Sequence, residues 1–230
     1  MKLVTVDTST SAFSVALTID GRLAAEYVAE CEKTLSDRLL AAIDAVLSDR
    51  RLSVEELDGF GVALGPGSFT GVRIGVATVK GLALATGKPV AGFSSLAMLA
   101  LNLPFSSHPV CPLFDARKKE VYAGLYMCGA LPEPLAADRV ISPARLLEEL
   151  SGQVLFLGDG ALRYREFIET TLGARALFAP SHCHLPRAAA GAALAQKILQ
   201  GGSSVPLASL NPSYIRPSEA ELARLKHETL

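Results

Sequence analysis

The sequence predicts an α/β protein of two related lobes, each a mixed β-sheet with helices against its faces. Three observations carry this. Each half opens with strand-like segments joined by tight turns and continues in strand–helix units. The segment VDTSTSAFSVALTIDG, residues 6–21, aligns without a gap on FDARKKEVYAGLYMCG, residues 114–129, so that Asp7 falls on Asp115, Leu17 on Leu125 and Gly21 on Gly129. Each half then carries a strand ending in Gly-x-Gly, VALGPG at 62–67 and LFLGDG at 155–160. Tandem lobes imply a cleft between them. The prolines and serines of 103–109 suit a hinge, which divides the chain into 1–104 and 105–230.

In chain order, LVTVD at 3–7 reads as a buried strand and FSVALTI at 13–19 as a second, with Asp20-Gly21 as the hairpin turn into a third at 22–27. Leu39, Leu40, Ile43, Val46 and Leu47 recur at helical spacing up to about Asp49. Ser53 and Glu56 form a capping-box pair ahead of a strand at 59–64. A glycine-containing helix follows at 71–85, then a strand at 89–93 and a helix from Ser94. In the second half, helices are expected at 143–151, 161–173 and 187–200, the first with Ser142 as N-cap and Pro143 in its first turn. The tail at 218–228 mixes helix-forming and charged residues and suits a surface helix or a docking extension.

Composition narrows the function classes. Half of the 230 residues are apolar, and 22 basic against 23 acidic side chains leave a net charge of −1, so no polyanionic partner is demanded by bulk electrostatics. The start lacks an apolar signal segment, and the apolar run at 74–86 is interrupted by Lys80 and too short to span a bilayer, which places the expectation in the cytoplasm with no membrane contact. Cys31, Cys111, Cys128 and Cys183 form no CxxC pair and read as reduced, packed thiols. The triplet His182-Cys183-His184 has no second ligand cluster at zinc spacing and reads as a loop rather than a metal site.

The stretch ALGPGSFTGVRIGVATVKGLALA, residues 63–85, invites three catalytic readings and fails each. No lysine follows Gly71 as a Walker A loop requires, the third glycine of a dinucleotide fingerprint comes one place late at Gly71, and Ser68 lacks GxSxG spacing. On a helical wheel, Gly71, Gly75, Thr78, Leu82 and Ala85 share one stripe, and Val72, Val76, Val79 and Ala83 a second. Such a helix needs covering on two sides, and its glycines allow another backbone to come close. One side suits the lobe's own sheet; the other suits either a second subunit or burial between lobes.

GPGSFTGVRIG at 65–75, with VDTST, VALTIDG, DARKKEVYAGLY at 115–126 and PSYIRP at 212–217, closely resembles the TsaB family, also called YeaZ. The resemblance runs over nearly the whole chain. It implies an actin-like ATPase (ASKHA) fold of two RNase-H-like lobes, in agreement with the repeat. It further implies a noncatalytic dimerisation subunit in the synthesis of threonylcarbamoyladenosine in tRNA, paired with a catalytic TsaD-like paralogue and working with a TsaE-like ATPase, with a homodimer as the other pairing. The surface it implies lies on the helix at 71–85 (Gly71, Val72, Gly75, Val76, Thr78, Val79, Leu82) and on the helix beginning near Ser36 (Leu39, Ile43). Contact with tRNA would run through the complex.

The competing reading is a free-standing enzyme, either a cleft-binding ATPase or an M22-like metallopeptidase. The metal-holding HxxxH helix of the catalytic paralogue has no counterpart here, and His108, His182, His184 and His227 show no such spacing. No catalytic residue and no metal ligand is assigned. Actin-like ATPases clasp nucleotide with a DxG turn in each lobe; Asp7-Thr8-Ser9, followed by Thr10, and Asp115-Ala116-Arg117 keep the aspartate and lack the glycine, so they read as vestigial nucleotide turns. No intrinsic cofactor is expected, with ATP and Mg²⁺ entering at the level of the complex. Arg117, Lys118 and Lys119 form a basic cluster that reads as a solvated turn, with contact to tRNA phosphate or to a partner's acidic patch as the alternative.

Overall fold

The computed structural model describes residues 1–30 and 35–216. The expected tail helix at 218–228, together with Cys31 and His227, lies outside the described residues. The first lobe is built on β1 (Lys2–Asp7), β2 (Ala12–Ile19), β3 (Arg22–Glu30), α1 (Leu35–Ser48), β4 (Gly59–Ala63), α2 (Phe69–Thr86) and β5 (Val90–Phe93). Asp20 and Gly21 both adopt positive φ, 51° and 75°, as an Asp-Gly hairpin turn requires. Ser53 and Glu56 act on a single 3₁₀ turn, Val54–Glu56, where the Glu56 carboxylate accepts the Ser53 N–H at 2.9 Å. The helix α2 starts at Ser68, whose hydroxyl accepts the Gly71 N–H, and stops at Gly87 in the left-handed region.

After α3 (Ser95–Ala100), the second lobe comprises β6 (Val110–Asp115), β7 (Val121–Cys128), β8 (Pro132–Ile141), α4 (Pro143–Glu149), β9 (Val154–Leu157), α5 (Asp159–Arg163), α6 (Arg165–Leu172) and β10 (Ala176–Phe178), followed by α7 (Ala188–Gln200). The single helix expected at 161–173 is two, broken at Tyr164, whose φ of −105° leaves the helical region.

The two five-stranded sheets run β3-β2-β1-β4-β5 and β8-β7-β6-β9-β10, which is one order used twice. In each, the first three strands pair antiparallel and the last two join in parallel. The repeat extends to backbone detail: Gly65 and Gly158, at matching places after β4 and β9, have φ of 107° and 99°. Only glycine takes that conformation without strain.

The helices are shared between sheets. One face of the first sheet packs on α1 and α2 around Val4, Val6 and Phe60, and its other face takes α7 through Leu3, Ala91 and Ala195. One face of the second sheet packs on α4 and α6, and its other face takes α3 through Leu96, Leu99 and Phe114. Thus α3 leaves the first half to cover the second sheet, and α7 returns from the second half to cover the first. Glu26 of β3 anchors α7: it forms an ion pair with Arg187 and accepts the Ala189 N–H at 2.9 Å. A carboxylate at a helix N-terminus meets both free amides and the positive end of the dipole.

Candidate functional site

The lobes face each other across a cleft of about 780 Å³, lined on one side by Ser9, Thr10, Gly67, Phe69 and Ile74 and on the other by Phe114, Asp115, Arg117, Tyr122 and Asp159. The turns after β1 and β6 therefore meet where an actin-like enzyme would hold phosphate. Both are closed on themselves by the same device. Asp7 Oδ1 accepts the Ser9 N–H at 3.3 Å, and Asp115 Oδ1 accepts the Arg117 N–H at 2.9 Å. Asp159 Oδ1 takes the N–H groups of Asp115 and Gly160 at 3.2 and 2.8 Å. Amides that would cradle an anion are already turned onto carboxyl oxygens of the chain itself.

The first turn is sealed. Asp7, Thr8 and Ser9 are each 1% exposed. A Cβ on Gly67 would lie 2.2 Å from Ser9 O, on Gly71 2.2 Å from Thr8 O, and on Gly75 2.3 Å from Thr8 Oγ1. The Ser68 N–H also binds Ser9 O at 2.7 Å. The glycine spacing thus lets α2 and its entry loop press onto the turn of the same lobe. Burial raises the Asp7 carboxyl to about 7, with contacts to Ser9 and the Thr8 backbone offsetting part of the rise. Asp7 Oδ2 and the hydroxyls of Thr5, Thr8 and Ser9 have no hydrogen-bond partner among the described residues, a concentration of unpaired polar atoms under one helix. Thr10 bonds Ala12 at 3.2 Å instead of reaching across the cleft. These residues do not fit a nucleotide phosphate.

The second turn is open and charged. Asp115 Oδ2 forms ion pairs with Arg163 at 2.7 Å and Arg117 at 3.3 Å. Burial raises the Asp159 carboxyl, while its two backbone N–H donors hold it back. Arg117, Lys118 and Lys119 take φ of 59°, 51° and 63°, three successive side-chain-bearing residues in the left-handed region.

The interface residues expected from the sequence divide differently. Gly71, Val72, Gly75, Val76 and Val79 of α2, and Leu39 and Ile43 of α1, are buried in the chain's own core, and only Thr78 and Leu82 are half-buried. The close approach made by Gly71 and Gly75 is intramolecular. What α2 turns outward is Arg73, Ala77, Gly81, Leu84 and Ala85, beside the exposed Leu40 and Ala41 of α1. Leu84 is 75% and Leu40 53% exposed, and a Cβ on Gly81 meets nothing within 4 Å.

His184 is structural. It is 5% exposed, its Nδ1 accepts the Gly158 N–H at 3.1 Å and its Nε2 lies 3.1 Å from Ala179 O. Among the described residues no three His, Cys, Asp or Glu side chains converge as a metal site would require. Cys111, Cys128 and Cys183 are free and buried, and burial pushes the Cys111 thiol up to about 12. No helix among the described residues is long and apolar enough to cross a membrane.

Residues 28–224 match the family model described as TsaD, tRNA N6-adenosine threonylcarbamoyltransferase. The chain is 34% identical to the tRNA threonylcarbamoyladenosine biosynthesis protein TsaB of Bacillus subtilis over 96% of each chain, and 30% identical to that of Haemophilus influenzae over 94% of each. Among solved structures, YeaZ from Pseudomonas aeruginosa superposes with a TM-score of 0.80 at 29% identity, covering 93% of this chain and 99% of that one. More distant likenesses, to an (R)-2-hydroxyglutaryl-CoA dehydratase component A (TM-score 0.53, 12% identity) and a ROK hexokinase (0.50, 16%), concern the fold alone. That fold is the actin-like one expected.

Proposed function

The chain belongs to the TsaB family, and from that premise we propose that it is a noncatalytic scaffold in the synthesis of threonylcarbamoyladenosine in tRNA, holding a TsaD-like catalytic paralogue in its working form. The observation that carries this reading is the closure of both cleft turns: their amides are bound by Asp7, Asp115 and Asp159, and the first turn lies buried under α2. A chain that uses its glycines to shut the nucleotide position contributes surface rather than chemistry. ATP and Mg²⁺ then belong to the assembled complex, in which a TsaE-like ATPase takes part, and tRNA is reached through that complex, with the turn at Arg117, Lys118 and Lys119 on its path.

The pairing face under this reading is the outward side of α2 with the neighbouring edge of α1, where Leu84 and Leu40 stand exposed beside the small residues Ala77 and Gly81. The same face would serve a homodimer of the free chain. Gly81→Arg and Leu84→Arg add bulk and charge to solvent-facing positions, so the variants should fold normally, fail to co-purify with the TsaD-like protein of the source organism, and lose threonylcarbamoyl transfer to tRNA in the reconstituted mixture. Transfer that proceeds equally well without this chain would sink the proposal; pairing that survives both substitutions would move the face elsewhere.

A further inference from the structure

The chain does not end at α7. From Val205 it runs back over the first lobe and then crosses to the second. The Val205 N–H binds Val90 O at 2.9 Å, Leu210 is 1% exposed in the first-lobe core, and the Ser213 N–H binds Leu64 O at 2.7 Å. Tyr214 then lies on Phe69 with ring centroids 5.1 Å apart, and its hydroxyl accepts the Arg73 Nε–H at 2.5 Å. Arg73 covers the Phe69 face at 3.8 Å, which completes a cation–aromatic stack at the cleft mouth.

Two residues later the segment reaches the other lobe. Arg216, 18% exposed, donates to Ala116 O at 2.6 Å and forms an ion pair with Glu120. Those residues bracket Arg117, Lys118 and Lys119, the three that hold left-handed backbone. Side-chain-bearing residues leave that region when nothing holds them, because Cβ crowds the carbonyl oxygen. Within the turn, the Ala116 N–H binds Glu120 O and the Glu120 N–H binds Arg117 O, both at 3.0 Å, and Asp115 accepts the Arg117 N–H from beneath. Arg216 grips the turn from outside, at both ends.

We propose that residues 205–216 are a latch: anchored on the first lobe by Tyr214, they hold the basic turn 116–120 of the second lobe in its left-handed form through Arg216, and so fix the mouth of the cleft. Withdrawal of Arg216 releases the turn without unfolding either sheet. The inference is independent of what the scaffold assembles with.

The turn carries its own probe, since trypsin cuts after Arg and Lys and needs a locally opened chain. Cleavage at 117–119 in the intact protein, followed by mass spectrometry and normalised to cleavage after Arg50 and Arg51, should rise about tenfold in Arg216→Ala, because cutting tracks the population of the opened form. Arg216→Lys, which keeps the charge and loses the fork, should fall between. Glu120→Gln, a milder change, removes the ion pair alone and should also raise cleavage. Arg73→Ala, in the other lobe, should raise cleavage at the turn by loosening the Tyr214 anchor. Unchanged cleavage in Arg216→Ala and Glu120→Gln would overturn the latch, as would an equal rise at Arg50 and Arg51, which would report general loosening.

Discussion

The turns after β1 and β6 occupy the same place in the same sheet order and are closed by the same aspartate-to-amide bond, yet one is sealed and the other open. What differs is the helix that follows the neighbouring strand. After β4, Gly67, Gly71 and Gly75 let α2 settle onto Thr8 and Ser9. After β9, Gly158 and Gly160 approach strand β6 instead, with a Cβ on Gly158 falling 2.2 Å from Leu113 O. There α5 brings Arg163 to Asp115 and leaves the turn in solvent. The first lobe spends its glycines on burying its carboxyl away from any cation; the second pairs its carboxyl with Arg163 and Arg117. A repeated fold thus supports opposite electrostatics, decided by where small residues permit contact.

Gly75→Leu tests the sealed side most severely. Its side chain must enter space held by Thr8, and overpacking of this kind costs about 3 kcal/mol or more. Urea denaturation should show that loss or a chain that does not fold; wild-type stability would mean that α2 does not rest on the turn.

Asp7→Asn has the next largest effect, and its sign depends on pH. The folded carboxyl keeps its proton up to about pH 7, whereas the unfolded one releases it near 3.8, so the folded chain binds more protons between these values. Stability contributed by Asp7 is therefore complete below about pH 4 and lost as pH rises through 7. The variant should gain on the order of 1–3 kcal/mol relative to wild type between pH 5 and pH 8, the scale of a shift of this size. Parallel stability curves across that range would show Asp7 to be charged at little cost.

Asp115→Asn, the matching change in the open turn, should cost about 1 kcal/mol or less, since Arg163 is half exposed and its ion pair is screened by solvent. Added salt should shrink the difference further. An effect as large as that of Asp7→Asn would erase the contrast between the lobes.

Much of this was legible in advance. The alignment of 6–21 with 114–129 anticipated a shared topology because hairpin chemistry and strand alternation are local: Asp20-Gly21 sets its turn without help from the rest of the chain. The valine stripe of α2 is buried as a face, the glycine stripe runs from buried Gly71 and Gly75 to exposed Ala85, and the glycines are points of close approach. Within this chain they approach Thr8, which the wheel alone did not name, since a glycine announces that something comes near and not what. Gly75 faces Thr8, and the outward face belongs to Arg73, Ala77, Gly81, Leu84 and Ala85, a mix of charged, small and apolar residues that periodicity does not single out. The break at Tyr164 was likewise hidden, because nothing in REFIETTL or the residues before it excludes one continuous helix.

By itself, the sequence determined the strands and hairpin of the first half, the doubled order of elements and the family, all of which rest on short-range periodicity or on motifs read residue by residue. Tertiary structure alone decided that α3 and α7 change lobes, that Glu26 caps a distant helix and pairs with Arg187, 161 residues on, and that the strand-end turns lose their amides to aspartates. It also brought Arg216 to Glu120 and Tyr214 to Arg73. The reason is physical: periodicity reports which face of an element is apolar, whereas the identity of the surface that covers it depends on the simultaneous burial of every other face.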